Sequence, residues 1–218
     1  EDIYTWDGKL VSHHRDLEDE AQMVKFPKVG TTMTDKDTGV HESQGTKDEV
    51  YVDMVSYENL IPGKTYTISG ILMNQKTNEP LIIDGETVTA TKDFVPETSN
   101  GVEPLEYHLD TSKLVGEDIV SFEDIIRDGI TVGTHADIND KDQTVAVIDF
   151  ETTALDTKTG THESAASESA VIVDKVKYTN LFSPGEEYVL KGTLIHKKTN
   201  TPIKLNLCRL FLKIEMER

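Results

Sequence analysis

The feature of this 218-residue chain that most constrains its fold is an internal repeat with a period of 121 residues. Residues 30–80 and 151–202 carry the same motifs in the same order, from a Thr-Thr pair to a Lys-Thr-Asn turn. Polar residues recur at this offset in the pairs Thr31 and Thr152, and Asp53 and Asp174. A fixed period as long as a whole domain indicates tandem domains.

The repeat divides the chain into three parts. Residues 1–25 are the C-terminal end of one repeat, residues 26–149 form a complete repeat, and residues 150–218 begin the next. After about residue 203 the third part departs from the pattern, and it contains the single cysteine, Cys208. We therefore expect the chain to be a segment of a longer array. A missing signal peptide then does not indicate a cytosolic protein.

Within each repeat the local pattern is that of β-strands. Short segments rich in Val, Ile, Thr and Tyr are separated by Pro-Gly, Asn-Gly and Thr-Gly turn signals. Examples are residues 50–57, 64–73, 143–150 and 187–195. The pattern predicts an all-β fold, with antiparallel immunoglobulin-like β-sandwich repeats in a tandem array.

The composition excludes several classes of function. Lys and Arg number 22 against 40 Asp and Glu, a net charge of −18, whereas nucleic-acid binding needs clustered basic residues. No apolar run approaches the roughly 20 residues of a membrane-spanning helix. A single cysteine allows neither an internal disulfide nor a Cys-based metal site. We predict a monomer without nucleic acid, membrane contact, metal or cofactor.

Strand alternation predicts which polar side chains point into the core. In residues 170–178 it assigns Asp174 to the more buried face, and Asp53 takes the same position in the complete repeat. A bare buried carboxylate costs several kcal/mol, so each must be paired, hydrogen-bonded or protonated. Alternation also turns Thr31 inward, although a β-bulge would exchange it with Thr32. A satisfied structural Asp and a packing Thr stay open as alternatives.

Three motifs together carry a resemblance to a known family. The first strand reads GTTMTDKDTG at residues 30–39, and residues 120–123 read Val-Ser-Phe-Glu, close to a Val-Ala-Phe-Glu signature. A His, Asp, Gln triplet at spacing i, i+5, i+8 occurs twice, as His14, Asp19 and Gln22 and as His135, Asp140 and Gln143. The chain resembles the Thr–Gln ester-bond domains, or VaFE repeats, of Gram-positive surface adhesins.

The resemblance implies a domain that crosslinks itself once, without turning over external substrates. By residue matching, the Thr31 hydroxyl attacks the carboxamide of Gln143 and ammonia leaves. His135 and the acids Glu123, Asp53 and Asp140 would assist. In the incomplete repeats, Thr152 and Asp174 lack these partners, whereas Glu1, His14, Asp19 and Gln22 lack the threonine strand.

The residue types suit this reaction. A threonine hydroxyl is a poor nucleophile, so it needs an adjacent base such as His135. An amide is a poor acyl donor, so its nitrogen must be protonated as it leaves. A buried acid could supply that proton, because two carboxyl groups facing each other, Asp53 and Glu123, raise the pKa of one of them. The sequence leaves open which acid carries the proton.

The implied role is a shaft segment of a bacterial adhesin, extracellular and cell-wall anchored through the full-length protein. Its partners would be neighbouring repeats of the chain, and a host ligand would bind elsewhere. Three alternatives stay open: a carbohydrate- or matrix-binding sandwich, a secreted hydrolase using His135, Glu123 and Thr31, and calcium binding by the acidic loops. The loops TDKDTG and DINDKD lack the Gly and Glu positions of an EF-hand.

Overall fold

The structure, a computed structural model, describes residues 1–165, 167, 170–181, 188–203 and 213–214. In that part of the chain the regular structure is β apart from one 3-10 turn at Glu20–Gln22. The strand pairs are predominantly antiparallel, which confirms the predicted all-β, antiparallel fold class. None of the described residues belongs to a helix long and apolar enough to cross a membrane.

Nineteen strands lie in the described residues. The first ten are β1 (Asp2–Tyr4), β2 (Leu10–His13), β3 (Lys28–Gly30), β4 (Met33–Asp35), β5 (Glu42–Gln44), β6 (Glu49–Glu58), β7 (Tyr66–Asn74), β8 (Glu79–Pro80), β9 (Ile82–Ile83) and β10 (Glu86–Thr87). The others are β11 (Thr89–Phe94), β12 (Gly101–Leu109), β13 (Asp118–Arg127), β14 (Ile130–His135), β15 (Thr144–Asp156), β16 (Ile172–Thr179), β17 (Ile195–His196), β18 (Thr201–Pro202) and β19 (Lys213–Ile214).

Two sheets of the complete repeat form the sandwich. The smaller sheet has the order β12-β6-β3, and β4 continues the line of β3 along β6. The larger sheet has β7 between β11 and β13. Strand β13 is bordered by β15 over its first residues and by β14 further along, so its second half faces a different neighbour. Strand β5 pairs with β15 in parallel.

The hydrophobic core lies between these sheets and follows strand alternation. In β6 every second side chain from Tyr51 to Tyr57 is buried, and β7 contributes Ile68 and Leu72 from the opposite sheet. Burial of one such aliphatic side chain stabilises the fold by roughly 1.5–3 kcal/mol. The same alternation buries the polar Asp53 in β6, and the core thereby positions a carboxyl group between the sheets.

No turn separates the complete repeat from the residues that follow it. Strand β15 pairs with β13 and β5 over its first residues and with β16 from Asp149 onward. The side-chain amide of Asn180 donates to the backbone oxygen of Glu117 at 3.1 Å and to the carboxylate of Asp118 at 2.9 Å. A continuous strand and these hydrogen bonds therefore hold the third part against the complete repeat.

One predicted strand, at residues 187–195, is wrong over most of its length. Residue 187 lies outside the described residues, residues 188–194 form no strand, and only the two-residue β17 begins at Ile195. In the complete repeat the matching strand β7 is hydrogen-bonded on both sides, by β11 and β13. No described segment supplies two such neighbours for residues 188–194, so local β-propensity alone does not make a strand there.

Candidate functional site

Polar side chains from distant parts of the complete repeat form one connected cluster. Thr31 lies between β3 and β4, Asp53 in β6 and Glu123 in β13. His135 ends β14, and the loop from there to β15 contains the remaining members, Asp140 and Gln143. The cluster thus joins the two sheets, with Thr31 and Asp53 on one side and Glu123 and the β14–β15 loop on the other.

The first threonine of the pair points inward. Thr31 is 6% exposed, whereas Thr32 is exposed. Strands β3 and β4 pair with β6 in one unbroken register, so no β-bulge exchanges the two side chains. The backbone N–H of Met33 donates to the carbonyl of Asp142 at 2.8 Å. This bond ties the threonine segment to the loop that ends in Gln143.

His135 links the threonine to an acid. Its Nδ1 lies 3.1 Å from Thr31 Oγ1, and its Nε2 lies 3.3 Å from Asp140 Oδ2. An ionised carboxylate only accepts hydrogen bonds, so it favours the tautomer with the proton on Nε2. The lone pair of Nδ1 then faces the Thr31 hydroxyl. Asp140 also stabilises its own turn, because its Oδ1 accepts from the backbone N–H of Asp142 at 2.9 Å.

The carboxamide of Gln143 is fully buried and hydrogen-bonded at both ends. Its Nε2 donates to the backbone oxygen of Ser121 at 2.8 Å, with Glu123 Oε2 at 3.3 Å and the backbone oxygen of His135 at 3.4 Å. Its Oε1 accepts from the backbone N–H of Asp137 at 3.3 Å. The amide is therefore held with an acid at its nitrogen and a backbone donor at its oxygen.

Asp53 and Glu123 form a buried acid pair, each with almost no exposed surface. Ser121 Oγ donates to Asp53 Oδ2 at 2.6 Å, and Tyr107 donates its hydroxyl to Glu123 Oε1 at 3.1 Å. Asp53 Oδ1 has no hydrogen-bond partner at normal distance among the described residues. The two carboxyl groups are neighbours and interact through their side chains.

Burial raises the pKa of both acids of this pair. Burial first, and then the negative charge of Asp53, raises the pKa of Glu123 from 4.5 to about 10. Burial also raises the pKa of Asp53, and hydrogen bonds from Glu123 and Ser121 oppose that rise. Both acids thus favour the neutral form more than a free carboxyl group does, and Glu123 lies beside the Gln143 nitrogen.

Tyr107 and Ser121 belong to the site, and reasoning from the sequence missed both as functional residues. A buried Tyr in a strand is normally interpreted as a core residue. No local pattern indicates that its hydroxyl contacts a carboxyl group. The available signal was Gly70, which recurs as Gly192 in the next repeat. A Cβ at Gly70 would lie 1.9 Å from the Tyr107 hydroxyl, so the missing side chain leaves space for that group.

We expect Gly70→Ala to destabilise the complete repeat by roughly 1–3 kcal/mol, because the added methyl overpacks the core. Guanidinium unfolding would measure this in chains that also carry Thr31→Ala, so that the expected crosslink does not contribute. Adding Tyr107→Phe should recover part of the loss, since the hydroxyl is the nearest atom to the new Cβ. Equal stability of Gly and Ala at position 70 would contradict this packing.

The incomplete repeats keep only parts of this arrangement. The backbones of Glu1 and His14 are hydrogen-bonded to each other in both directions, as the facing residues Glu123 and His135 pair in the complete repeat. His14 Nε2 lies 3.4 Å from Asp19 Oδ2, and Gln22 Nε2 lies 3.2 Å from that oxygen. The second copy of the triplet thus forms similar local contacts, but His14 and Gln22 are exposed and Asp19 is only half-buried.

The matching threonine strand of the next repeat has no such cluster in the described residues. Thr152 is exposed, whereas its counterpart Thr31 is buried. Asp174, the counterpart of Asp53, is half-buried and its Oδ1 has no described partner. The inward orientation predicted for Asp174 agrees with its position, and no described acid faces it in the way that Glu123 faces Asp53.

The acidic loop at residues 34–39 forms a turn. Asp35 Oδ1 accepts from the backbone N–H groups of Asp37 and Thr38 and from the Thr38 hydroxyl. Such bonds from an Asp side chain to following residues stabilise tight turns. The described residues contain no group of three or more His, Cys, Asp or Glu side chains arranged to hold a metal ion.

One family model matches the chain and agrees with the motifs. The sequence model of one family, described as T-Q ester bond containing domain, matches residues 27–147 and 149–206. No curated protein matches. Similar solved structures include a Mobiluncus mulieris adhesin containing intramolecular disulfide, isopeptide and ester bond cross-links. Its two crystal forms give TM-scores of 0.48 and 0.47 at 15% identity over 63% of this chain and 71% of that chain. A putative beta-galactosidase from Bacteroides fragilis has a TM-score of 0.40 and 13% sequence identity. The match covers 57% of this chain and 18% of that chain.

Proposed function

The chain belongs to the family of T-Q ester bond containing domains, and on this basis we propose that its complete repeat crosslinks itself through an ester between Thr31 and Gln143. One observation carries the proposal. A buried hydroxyl and a buried carboxamide from opposite ends of the repeat both contact His135, the hydroxyl at its ring and the amide at its backbone oxygen. Because the fold holds the two reacting groups close together, the reaction is effectively unimolecular. This proximity lowers its activation barrier by several kcal/mol.

In the first step, His135 Nδ1 takes the proton of the Thr31 hydroxyl, and Oγ1 forms a bond to the side-chain carbonyl carbon of Gln143. The carbonyl electron pair moves onto Oε1, which accepts the backbone N–H of Asp137. A preorganised donor at this atom stabilises the developing negative charge. Asp140, bound to the other ring nitrogen, stabilises the positive charge of His135.

In the second step, the carbon–nitrogen bond breaks and the nitrogen takes a proton from Glu123. The amide nitrogen donates to Glu123 Oε2 in the resting site at 3.3 Å, and this contact reverses once the nitrogen becomes an amine. Ammonia leaves and the ester remains. The proton held by His135 then restores Glu123, so that the overall change is hydroxyl plus carboxamide to ester plus ammonia.

We further propose that the crosslinked repeat is a shaft segment of a bacterial surface adhesin, outside the cell and anchored through a longer protein. The resemblance to ester-bond domains and the continuous strand into the next repeat support this role. Neighbouring repeats would be its partners, and a host ligand would bind elsewhere. In the complete repeat, residues 26–149, Phe26 is the single aromatic among the exposed large apolar residues, whereas a sugar-stacking platform needs several.

Intact mass of the folded chain tests the ester. We expect a mass lower than that of the sequence by one molecule of ammonia, and a proteolytic peptide that joins the Thr31 and Gln143 segments. Thr31→Ala and Gln143→Ala should each restore the full mass. Thr32→Ala is the matched control, because that threonine is exposed, and it should keep the crosslink.

The size of the mass loss tests the incomplete repeats. Thr152 and Gln22 are both exposed, and each lacks the buried partners of its counterpart in the complete repeat. We therefore expect the loss of one ammonia and not two, and no denaturant-resistant dimer. A full-length mass in folded wild-type protein would refute the proposed ester, and a covalent dimer through Thr152 and Gln22 would refute the second expectation.

A further inference from the structure

The hydroxyl of Ser121 has no part in the steps above, although it is the shortest polar contact of the acid pair. From this geometry we infer that Ser121 is a positioning residue, which binds Asp53 as the carboxylate and thereby keeps the shared proton on Glu123. The inference rests on the proposed ester reaction for its functional meaning. Its structural content, the location of one proton, stands on the contacts of the resting site.

The hydrogen-bond lengths indicate where the negative charge lies. Ser121 Oγ is 2.6 Å from Asp53 Oδ2, within the range of hydroxyl bonds to ionised oxygens. Glu123 receives longer bonds, 3.1 Å from the Tyr107 hydroxyl and 3.3 Å from the Gln143 amide. The Ser121 hydroxyl also interacts with Glu123 and lowers its pKa. Its short bond is nevertheless made to Asp53, and a hydroxyl donor favours the ionised form of the carboxyl group that it contacts most closely. This preference leaves the shared proton to Glu123.

The remaining oxygen of the pair fits the same arrangement. Asp53 Oδ1 is buried with no described donor at normal distance, and Glu123 is the hydrogen-bonding neighbour of the Asp53 carboxyl group. The titratable groups facing the pair are Tyr107 from β12 and His135 from β14, with Asp140 behind the imidazole. Burial keeps the Tyr107 hydroxyl protonated by raising its pKa. Protonated His135 would also favour an ionised Asp53.

The backbone of the same residue holds the acyl donor. The carbonyl of Ser121 accepts the Gln143 side-chain N–H at 2.8 Å, and its N–H donates to the Gln143 carbonyl at 3.0 Å. One residue of β13 therefore fixes both the amide and the ionised acid. An alanine at this position would keep both backbone groups and lack only the hydroxyl. A substitution at position 121 can therefore remove the hydroxyl while the backbone contacts to Gln143 stay in place.

The location of the proton is measurable in the full chain carrying Thr31→Ala, which cannot form the ester. Carbon-13 NMR of labelled Asp and Glu carboxyl groups should show Glu123 protonated and Asp53 ionised at neutral pH. Adding Ser121→Ala should move the proton towards Asp53. We expect the ratio of the Glu123-protonated form to the Asp53-protonated form to fall on the order of tenfold or more, because a hydrogen bond to a charged group is lost. Ionised Glu123 with protonated Asp53 in the parent, or an unchanged ratio in Ser121→Ala, would overturn the inference.

Two variants of equal shape separate the hydroxyl from packing. Ser121→Thr keeps the donor, whereas Ser121→Val has the same outline without it. With Thr31 present, we expect Ser121→Thr to crosslink on the order of tenfold faster than Ser121→Val. Equal rates would contradict a positioning role. If wild-type protein forms no ester, the proposed function fails, while the NMR result still decides where the proton lies.

Discussion

A single molecule of the complete repeat, stretched from its two ends, should show no unfolding extension. Thr31→Ala should lengthen under the same force by on the order of 350 Å, the reach of the roughly 110 residues that the ester encloses. Thr31 lies near the start of the repeat and Gln143 near its end, so tension enters and leaves close to the proposed bond. A covalent bond at this position would carry the force, so the residues between Thr31 and Gln143 would not be pulled out of the sandwich.

The matched control for this experiment is Thr32→Ala, which removes an exposed hydroxyl one residue away and should behave as wild type. Equal extension of wild type and Thr31→Ala would mean that the ester is absent or lies outside the path of the force. The shaft role would then lose its mechanical basis. In the unfolded state the same bond closes a loop worth roughly 4–5 kcal/mol by the entropy model developed for disulfides, with native-state strain able to reduce it.

The second large effect concerns the rate of crosslinking. His135→Ala and Glu123→Gln should each slow ester formation by on the order of 10²–10⁴-fold, the usual contribution of a positioned base or acid. Chains made by cell-free synthesis would be kept unfolded in guanidinium and then diluted into folding buffer. Samples would be quenched at intervals, and mass spectrometry would measure the fraction that has lost ammonia. Both variants should still fold, because glutamine preserves the shape of the acid and His135 is partly exposed.

Asp140→Asn serves as the comparison for these variants. It keeps the turn contact of Oδ1 but cannot stabilise a positive His135, so we expect an intermediate rate. Normal crosslinking in both His135→Ala and Glu123→Gln would overturn the assigned roles of base and acid. Loss of folding in either variant would appear separately, as a changed circular dichroism spectrum.

The pH dependence follows from the proton on Glu123. Its pKa in the folded chain is about 10, above the ordinary 4.5, so the neutral form is favoured by folding. The contribution of Glu123 to stability is therefore fully present below about pH 4.5 and is lost as the pH rises through about 10. In the Thr31→Ala background, the unfolding free energy should fall over this window. Glu123→Gln should remove that part of the slope, and an unchanged slope would contradict the assignment.

The sequence by itself determined the parts of this protein that depend on local pattern and on recurrence. Alternation along single strands predicted that Thr31 and Asp53 face inward, since successive side chains of a strand point to opposite faces. The period of 121 residues matched Thr31 with Thr152 and Asp53 with Asp174. The triplet His135, Asp140 and Gln143 was visible because its members lie in one short loop.

Only the tertiary structure decided which groups meet across the sandwich. The Tyr107 hydroxyl reaches Glu123 past Gly70, the Ser121 hydroxyl reaches Asp53, and a backbone N–H faces the Gln143 oxygen. These contacts join residues on different strands, so they depend on sheet order, register and the packing of one sheet on the other. Strand formation itself showed the same limit at residues 188–194, because a β-strand is stabilised by its neighbours and its own sequence cannot supply them.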